Sequence, residues 1–186
     1  STGTASEGDV LDYILVSNLP HISDEATYLT EYTFKDSLSE GLSYRENSVR
    51  IAIYANKADA KVNDTKKAKA IWSGNQFKVQ TTAAAKGSEL KVTMTQTGLD
   101  EINGSYSDMY MVVYYQVDVK SDESVVLGDK GNPNEVVLTW RRTADAWYNT
   151  LEDACEIYTY ALDLTKTFSD GKGDPKKVQF KLYNAT

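Results

Sequence analysis

The sequence is short of the residues that build metal centres and disulfides: it has one cysteine, Cys155, and one histidine, His21. One cysteine excludes an internal disulfide and a cysteine-based zinc cluster, and one histidine cannot anchor a multi-histidine metal site. We therefore expect no metal and no other cofactor. A catalytic Cys–His pair is also disfavoured, because nothing in the segment EDACEIYTY around Cys155 would activate its thiol.

Long apolar runs and an excess of positive charge are missing as well. No run approaches the roughly 20 residues that a membrane helix needs. The net charge of -7 argues against a nucleic-acid partner, whose phosphates require Lys and Arg. The first residues, STGTASEGD, have neither the basic nor the apolar region of a signal peptide, and a mature or trimmed segment of a longer chain stays an open alternative.

The composition is that of a folded protein built on β-strands. Hydrophobic residues make up 41% of the chain and charged residues 25%, which is ordinary for a globular domain. Tyrosine outnumbers phenylalanine by 13 to 4, and tyrosine suits strands that bury a ring and keep the hydroxyl at the rim. A length of 186 residues fits one large domain, or one domain and a fragment of another.

Apolar and polar residues alternate along much of the chain, whereas the 3.6-residue period of helices barely appears. The alternation predicts strands at Val10–Ser17, Thr27–Leu38, Asn47–Ala55, Ser88–Gly98, Asp108–Lys120 and in the segment NEVVLTWRRT. The strand beginning at Asp108 is the most apolar and is predicted to be central in its sheet. Short strands separated by regular turn signals predict an all-β fold, an antiparallel β-sandwich.

Other segments carry weaker structural signals. A hairpin centred on Gly74 is predicted from the segment AIWSGNQFKVQT, and one helical turn from Leu99–Asn103. The Lys- and Ala-rich segment Asn56–Ala70 is interpreted as a solvated loop or a short surface helix. The segment Tyr160–Asn184 is predicted to be a hairpin with a long polar connection. A connection of that length favours a domain comprising residues 1–157, followed by the partial start of a second small β-sandwich domain in residues 158–186.

Four segments, in order, resemble the fimbrial backbone pilins and related surface adhesins of Gram-positive bacteria. They are EGDVLDYILVSNLP, YTFKDSLSEGLSY, MVVYYQVDVKSDESVVLGDKGNPNEVVLTW and IYTYALDLTKTFSDGKGDPKKVQFKLYN. The resemblance covers most of the chain except an insert around Lys57 to Lys69. It implies a secreted, cell-wall-attached protein of immunoglobulin-like domains stacked in a pilus shaft or adhesin stalk. Its partners would be neighbouring pilin subunits or domains of the same surface protein, with a host ligand in the case of an adhesin.

The resemblance also implies self-made Lys–Asn isopeptide bonds. An amine attacks a carboxamide only when the amine is neutral and the carbonyl is polarised, so the lysine must be buried and a nearby Asp or Glu must be protonated. Proximity in a dry core supplies most of the acceleration, and ammonia leaves. Because the reaction happens once in each molecule, we do not expect the protein to be an enzyme that turns over a substrate.

The resemblance implies that Asn134 is the acceptor of the isopeptide bond and that Asp36 is the acid that promotes it, with Glu123 as a backup acid. The residues by themselves allow other interpretations. Asn132 and Asn134 could form an Asx-type turn around Pro133, Asp36 could cap the end of a strand, and Glu123 could be a solvated loop carboxylate. Asn132 is the weaker acceptor, since the residue before proline is pushed towards an extended linker conformation.

The lysine donor is the missing part of this chemistry. In the pilins it lies shortly before the Gly-Asp that corresponds to Gly8, and STGTASE contains no lysine. Either the chain was cut downstream of the nucleophile or this domain lacks its bond. Lys35 neighbours Asp36 but should point to the other face of the strand. Lys166 matches the lysine of the following domain, and the alternative is an exposed strand lysine.

The sequence allows two other classes of function. A surface binding module for a glycan or host protein would use aromatic side chains as stacking platforms. The candidates are Trp72, Trp140, Trp147 and Tyr148, the last two in the segment RRTADAWYN, and the alternative is that they pack in the core. A hydrolase with paired carboxylates is disfavoured, because 27 acidic residues produce pairs by chance and no spacing singles one out.

Overall fold

In the computed structural model the backbone is described for residues 3–5, 7–120, 125–127, 135–143, 149–150, 157–163 and 179–183, and the side chains for residues 7–120 and 135–143. The strands are β1 (Gly3–Ala5), β2 (Val10–Asn18), β3 (Leu29–Leu38), β4 (Leu42–Tyr44), β5 (Arg50–Tyr54), β6 (Ala70–Trp72), β7 (Phe77–Ala83), β8 (Ser88–Met94), β9 (Tyr110–Val119), β10 (Val125–Leu127), β11 (Glu135–Arg142), β12 (Asn149–Thr150), β13 (Ile157–Asp163) and β14 (Gln179–Tyr183). The helices are α1 (Lys57–Val62) and α2 (Gln96–Ser105), with short 3-10 helices at Glu25–Thr27 and Thr65–Lys67.

The strands form two antiparallel sheets that enclose one main core, so the predicted all-β sandwich is confirmed. One sheet has the order β12–β11–β3–β8–β7, and the other has the order β14–β13–β2–β9–β5–β6, with β4 also pairing with β9. A separate small ladder joins β1 to β10. The strand predicted to be central, β9, is paired along its length with β2 on one side and with β5 and β4 on the other.

Alternation along the strands decides which residues fill the core. In β3 the inward positions are Tyr32, Phe34, Asp36 and Leu38, all of which are buried. In β9 the inward positions are Met111, Val113, Tyr115, Val117 and Val119, which are buried too. Since side chains of a strand point alternately to its two faces, one set of alternate positions on each of these strands faces the core.

The predicted hairpin around Gly74 is wrong. β6 pairs with β5 in the larger sheet, whereas β7 pairs with β8 in the smaller one, so the chain crosses between the sheets at residues 73–76. Trp72 and Phe77 flank this crossing and are both buried in the same core. Two strands separated by a glycine have the same sequence pattern whether they pair or face each other, and here burial of both aromatic rings favours the crossing.

The insert that follows β5 forms a short surface helix, as one of the two interpretations expected. Asn56 caps α1 by accepting a hydrogen bond from the Asp59 backbone N–H, and Asn63 ends it in the left-handed region at φ 51°. The helix covers the outer face of the larger sheet, where Ala60 is buried and the Tyr54 hydroxyl donates to Asn63 Oδ1 at 2.6 Å.

The second helix is longer than the single turn predicted for Leu99–Asn103. α2 has ten residues, and the side chain of Thr95 caps it by accepting from the Gly98 backbone N–H. Leu99 and Ile102 are the apolar residues that it buries against the core. Within the described segments, no helix is long and apolar enough to cross a membrane.

The last strands extend the larger sheet. β13 pairs with β2 from Ile157↔Ser17 to Asp163↔Leu11, and β14 pairs with β13. The predicted C-terminal strand pair is therefore present. The division into residues 1–157 and 158–186 stays a prediction, and the strand that begins at Ile157 is hydrogen-bonded to the first of these two parts.

Candidate functional site

The carboxylate of Asp36 lies in the core between the two sheets. It is 1% exposed, and it lies within β3 rather than at its end, so it does not cap the strand. Its neighbours in the sheet are Val136 on β11 and Leu90 on β8, both buried. A carboxyl group surrounded by apolar side chains is costly to bury in its charged form, so this position has to be stabilised by specific hydrogen bonds.

Tyr115 supplies such a hydrogen bond from the opposite sheet. Its hydroxyl donates to Asp36 Oδ2, and both residues are fully buried. Tyr13, directly opposite Tyr115 in the β2–β9 pairing, packs against it with ring centroids 5.6 Å apart. Asp36, Tyr115 and Tyr13 therefore form a buried cluster that links the smaller sheet to the two central strands of the larger one.

Sequence reasoning identified Asp36 but missed Tyr115. The signal was available: Tyr115 lies in the most apolar strand, and a buried tyrosine nearly always finds a partner for its hydroxyl. The sequence could not show that β3 and β9 lie opposite each other across the core, because the two residues are 79 positions apart.

A second polar contact crosses the core near the other end of β3. The Tyr32 hydroxyl and Ser17 Oγ are 2.8 Å apart, and both residues are 0% exposed. Tyr32 lies on the smaller sheet and Ser17 on the larger, so this hydrogen bond, like that between Tyr115 and Asp36, joins the two sheets. Two buried hydrogen bonds thus tie the sheets together at different heights of the sandwich.

The predicted acceptor lies outside the described residues, but the strand that follows it does not. β11 begins at Glu135, and its second residue, Val136, is the partner of Asp36. Asn134, Asn132, Glu123 and Lys166 are all outside the described residues. The structure therefore brings the start of β11 beside Asp36 and leaves the assignments of Asn134, Glu123 and Lys166 as predictions.

No lysine is buried beside Asp36 in the part of the chain whose side chains are described. Every lysine of residues 7–120 is exposed or half-buried. Lys35 is exposed on the opposite face of β3, as the alternation predicts, and its Nζ is 3.3 Å from Glu89 Oε2. An amine donor for chemistry at Asp36 must therefore come from outside residues 7–120 and 135–143.

Two of the aromatic residues considered for ligand stacking belong to the core. Trp72 is 2% exposed and Trp140 is 4% exposed, so neither ring is available to a ligand. Trp147 and Tyr148 lie outside the described residues. Hydrophobic burial explains this outcome, since both buried tryptophans occupy inward positions of their strands.

His21 is engaged at the surface rather than in a catalytic site. Its Nδ1 is 2.6 Å from Asp108 Oδ2, and the pair joins the loop before β3 to the loop before β9. Its hydrogen bond holds the pKa of Asp108 below the ordinary value. Among the side chains described, no group of three His, Cys, Asp or Glu could hold a metal ion.

No protein-family model matches the chain, and no curated protein matches it significantly. Solved structures of Gram-positive pilins do match. The pilus backbone protein RrgB of Streptococcus pneumoniae is 19% identical with a TM-score of 0.50, over 78% of this chain and 28% of that one. Two domains of the major pilin SpaD of Corynebacterium diphtheriae are 16% identical with a TM-score of 0.54, over 85% and 49%.

The full-length SpaD pilin matches with a TM-score of 0.52 at 16% identity, over 86% of this chain and 35% of that one. The chain thus spans between about a quarter and half of the length of the pilins that it matches. At these identities the comparison establishes the fold. The chain has the immunoglobulin-like β-sandwich of Gram-positive major pilins.

Proposed function

We propose that this chain is a structural module of a pilus shaft or adhesin stalk on a Gram-positive surface. The likeness of its fold to major pilins, over most of the chain and against two different pilins, is the observation that supports this role. Such a module acts by resisting tension and proteolysis and not by turnover. The buried contacts of Asp36 with Tyr115 and of Tyr32 with Ser17 suit this role, because both cross between the sheets.

We further propose that Asp36 is the acid of a Lys–Asn isopeptide site and Asn134 its acceptor. Asp36 is buried and hydrogen-bonded, and burial disfavours the charged form of a carboxyl group. A protonated Asp36 could pass its proton to the amide oxygen as the amine attacks, and the resulting carboxylate could then accept the proton that the amine releases. Tyr115 would position the carboxyl group.

The β3–β11 register supports the choice of Asn134. Asp36 and Val136 are direct partners, and Asn134 precedes Val136 by two residues, which is the repeat of a strand. If the alternation continues by one step, the amide of Asn134 faces the same side as Asp36. The bond would join the amine nitrogen of a lysine to the amide carbon of Asn134, and the amide nitrogen would leave as ammonia.

The amine is assigned to a lysine outside residues 7–120 and 135–143. A covalent tie of this kind restricts the unfolded chain in the way that a disulfide does, and reduction cannot break it. The bond and the structural role are separable, since a stalk module can also be held by its core alone.

Intact mass under denaturing conditions tests the bond in the protein with its native flanking sequence. We expect the mass to be lower than the sequence mass by one ammonia, and the full mass to return in Asn134→Ala and Asp36→Ala. Asn132→Ala is the matched control and should keep the deficit. An unmodified mass in the native-length protein would contradict the bond, and a deficit that survives Asn134→Ala would assign the acceptor elsewhere.

Immunogold labelling tests the structural role independently. Antibodies against this sandwich should decorate fibres or stalks at the surface of the source cells. Label confined to the cell interior would contradict the role, whatever the outcome of the mass measurement.

A further inference from the structure

Among the described residues, β7 forms an uncovered strand edge along one side of the sandwich. β7 is the last strand of the smaller sheet, and in the described part of the chain it pairs only with β8. It is seven residues long and contains no proline, and its last four residues are exposed. Along such an edge, alternate backbone N–H and C=O groups lack partners in the ladder.

An open cleft of about 370 Å³ lies beside this strand. Its apolar wall is formed by Tyr44, Val49, Phe77 and Val79, and its charged residues are Arg50 and Glu46. Cavities of this size accommodate small ligands or a few side chains. A strand added to β7 would direct every second side chain towards the cleft, because residues two apart in a strand share a face.

The part of the chain that builds this side of the molecule has an excess of positive charge, although the protein as a whole is acidic. Residues 45–94 contain ten of the 20 Lys and Arg residues but only four of the 27 Asp and Glu residues. They carry a formal charge of +6, while the rest of the chain carries -13. These residues form the β5–β6 edge of one sheet, the β7–β8 edge of the other and the helix α1.

We propose that β7 and its cleft are a docking site for an acidic, extended polypeptide segment of a partner protein. The segment adds to β7 as an extra strand, with small or apolar side chains at alternate positions in the cleft. Its carboxylates, on the other face of the added strand, lie near Lys78, which is exposed on β7. This is β-strand addition, in which backbone hydrogen bonds supply affinity and alternate side chains supply specificity.

The features of the site favour this occupant over others. Only a peptide backbone offers donors and acceptors spaced to match the free edge of a strand, so a polyanionic glycan could use the charge but not the edge. Two copies of this chain paired through β7 would bring two cationic sides together, which is repulsive. A lysine on an edge strand is a common protection against aggregation. Such protection does not require a cleft, and β7 has one beside it.

The proposal does not rest on chemistry at Asp36, which is buried in the core and does not line the cleft. Three synthetic eight-residue peptides test it with the native protein. The first alternates valine or threonine with glutamate, the second has lysine at each glutamate position, and the third is the acidic peptide with N-methyl groups on alternate residues. We expect the acidic peptide to bind at least about tenfold more tightly than the other two, a difference of about 1.4 kcal/mol.

Hydrogen exchange locates the contact. Backbone amides of β7 that point away from β8 should exchange rapidly in the free protein and become protected by the acidic peptide. Equal binding of the N-methylated peptide, or protection confined to another surface, would overturn the proposal. Equal binding together with full competition by a sulfated polysaccharide would indicate an anion-binding surface only.

Variants of exposed residues distinguish binding at the β7 edge from binding to positive charge in general. Lys78→Glu should weaken the binding of the acidic peptide by about tenfold. Lys66→Glu makes the same change in charge on the 3-10 helix at Thr65–Lys67, which does not line the cleft, and is expected to have little effect. Thr81→Trp should block the cleft without disturbing the core, because Thr81 is exposed and lines the cleft. Equal effects of the two charge reversals, or full binding to the Thr81→Trp protein, would contradict the proposed site.

Discussion

Tyr115 on β9 donates a hydrogen bond to Asp36 on β3, and the two residues face each other across the core from opposite sheets. The contact is fully buried, in a protein whose other core residues are nearly all apolar. A buried polar pair of this kind stabilises one alignment of the sheets over others, since any slip of either strand separates the hydroxyl from the carboxyl group.

Removal of the Tyr115 hydroxyl is expected to destabilise the protein. Tyr115→Phe keeps the ring in place but takes a donor away from a buried carboxyl group, which should lower the free energy of unfolding by about 1–3 kcal/mol. Denaturant unfolding measures this value, and Tyr28→Phe at a partly exposed position should change it by less than about 0.5 kcal/mol. If a double-mutant cycle with Asp36→Asn showed no coupling, the contact would not be energetically important.

The contact between Tyr32 and Ser17 should contribute a smaller amount. Tyr32→Phe leaves Ser17 Oγ buried without this hydroxyl partner, and we expect a loss of about 1 kcal/mol in the free energy of unfolding. Because the contact joins neutral groups, the loss should be the same at high and at low salt. A strong dependence on salt would show that charges elsewhere are responsible.

Two glycines of α2 should respond in opposite directions to substitution by alanine. A Cβ at Gly98 would lie 2.2 Å from the Gln76 backbone oxygen in the crossing between the sheets, whereas a Cβ at Gly104 meets nothing within 4 Å. Gly98→Ala should therefore cost about 1–3 kcal/mol, and Gly104→Ala should stabilise by about 0.5–1 kcal/mol through its higher helix propensity. Thermal unfolding of the two variants measures the difference, and an equal shift in melting temperature would contradict the close approach at Gly98.

The protein should lose stability in alkaline solution. Burial, reinforced by Asp64 and Asp59, raises the pKa of Tyr54 from 10.0 to about 12. The unfolded chain releases this proton first, so the stabilisation is complete below pH 10 and is lost as the pH rises towards about 12. A raised pKa of Tyr114, caused by burial and by its hydrogen bond to Asp12, acts in the same direction.

Unfolding free energies measured between pH 9 and pH 12 test this expectation. The contribution of Tyr54 should be on the order of 2 kcal/mol over that range. Tyr54→Phe should make the decline shallower, whereas Tyr28→Phe at a partly exposed ring should leave it unchanged. An unaltered slope in the Tyr54→Phe protein would show that Tyr54 titrates normally.

The sequence was enough to predict the fold class and most of the strands, because alternation is a local property. Val10–Ser17 and Asp108–Lys120 were predicted nearly to their observed bounds, since burial on one face forces a period of two. It also singled out Asp36 by resemblance to a pilin motif. Of the two interpretations that it allowed for Trp72 and Trp140, ligand stacking or core packing, core packing holds for both.

Only the tertiary structure decided which strands pair and which residues meet across the core. The segment around Gly74 has the pattern of a hairpin, yet it crosses between sheets, because burying Trp72 and Phe77 in one core is more favourable than pairing their strands. The contact between Asp36 and Tyr115 joins residues 79 positions apart, and the free edge of β7 exists only in relation to its sheet. Such contacts depend on long-range strand order, which local alternation does not encode.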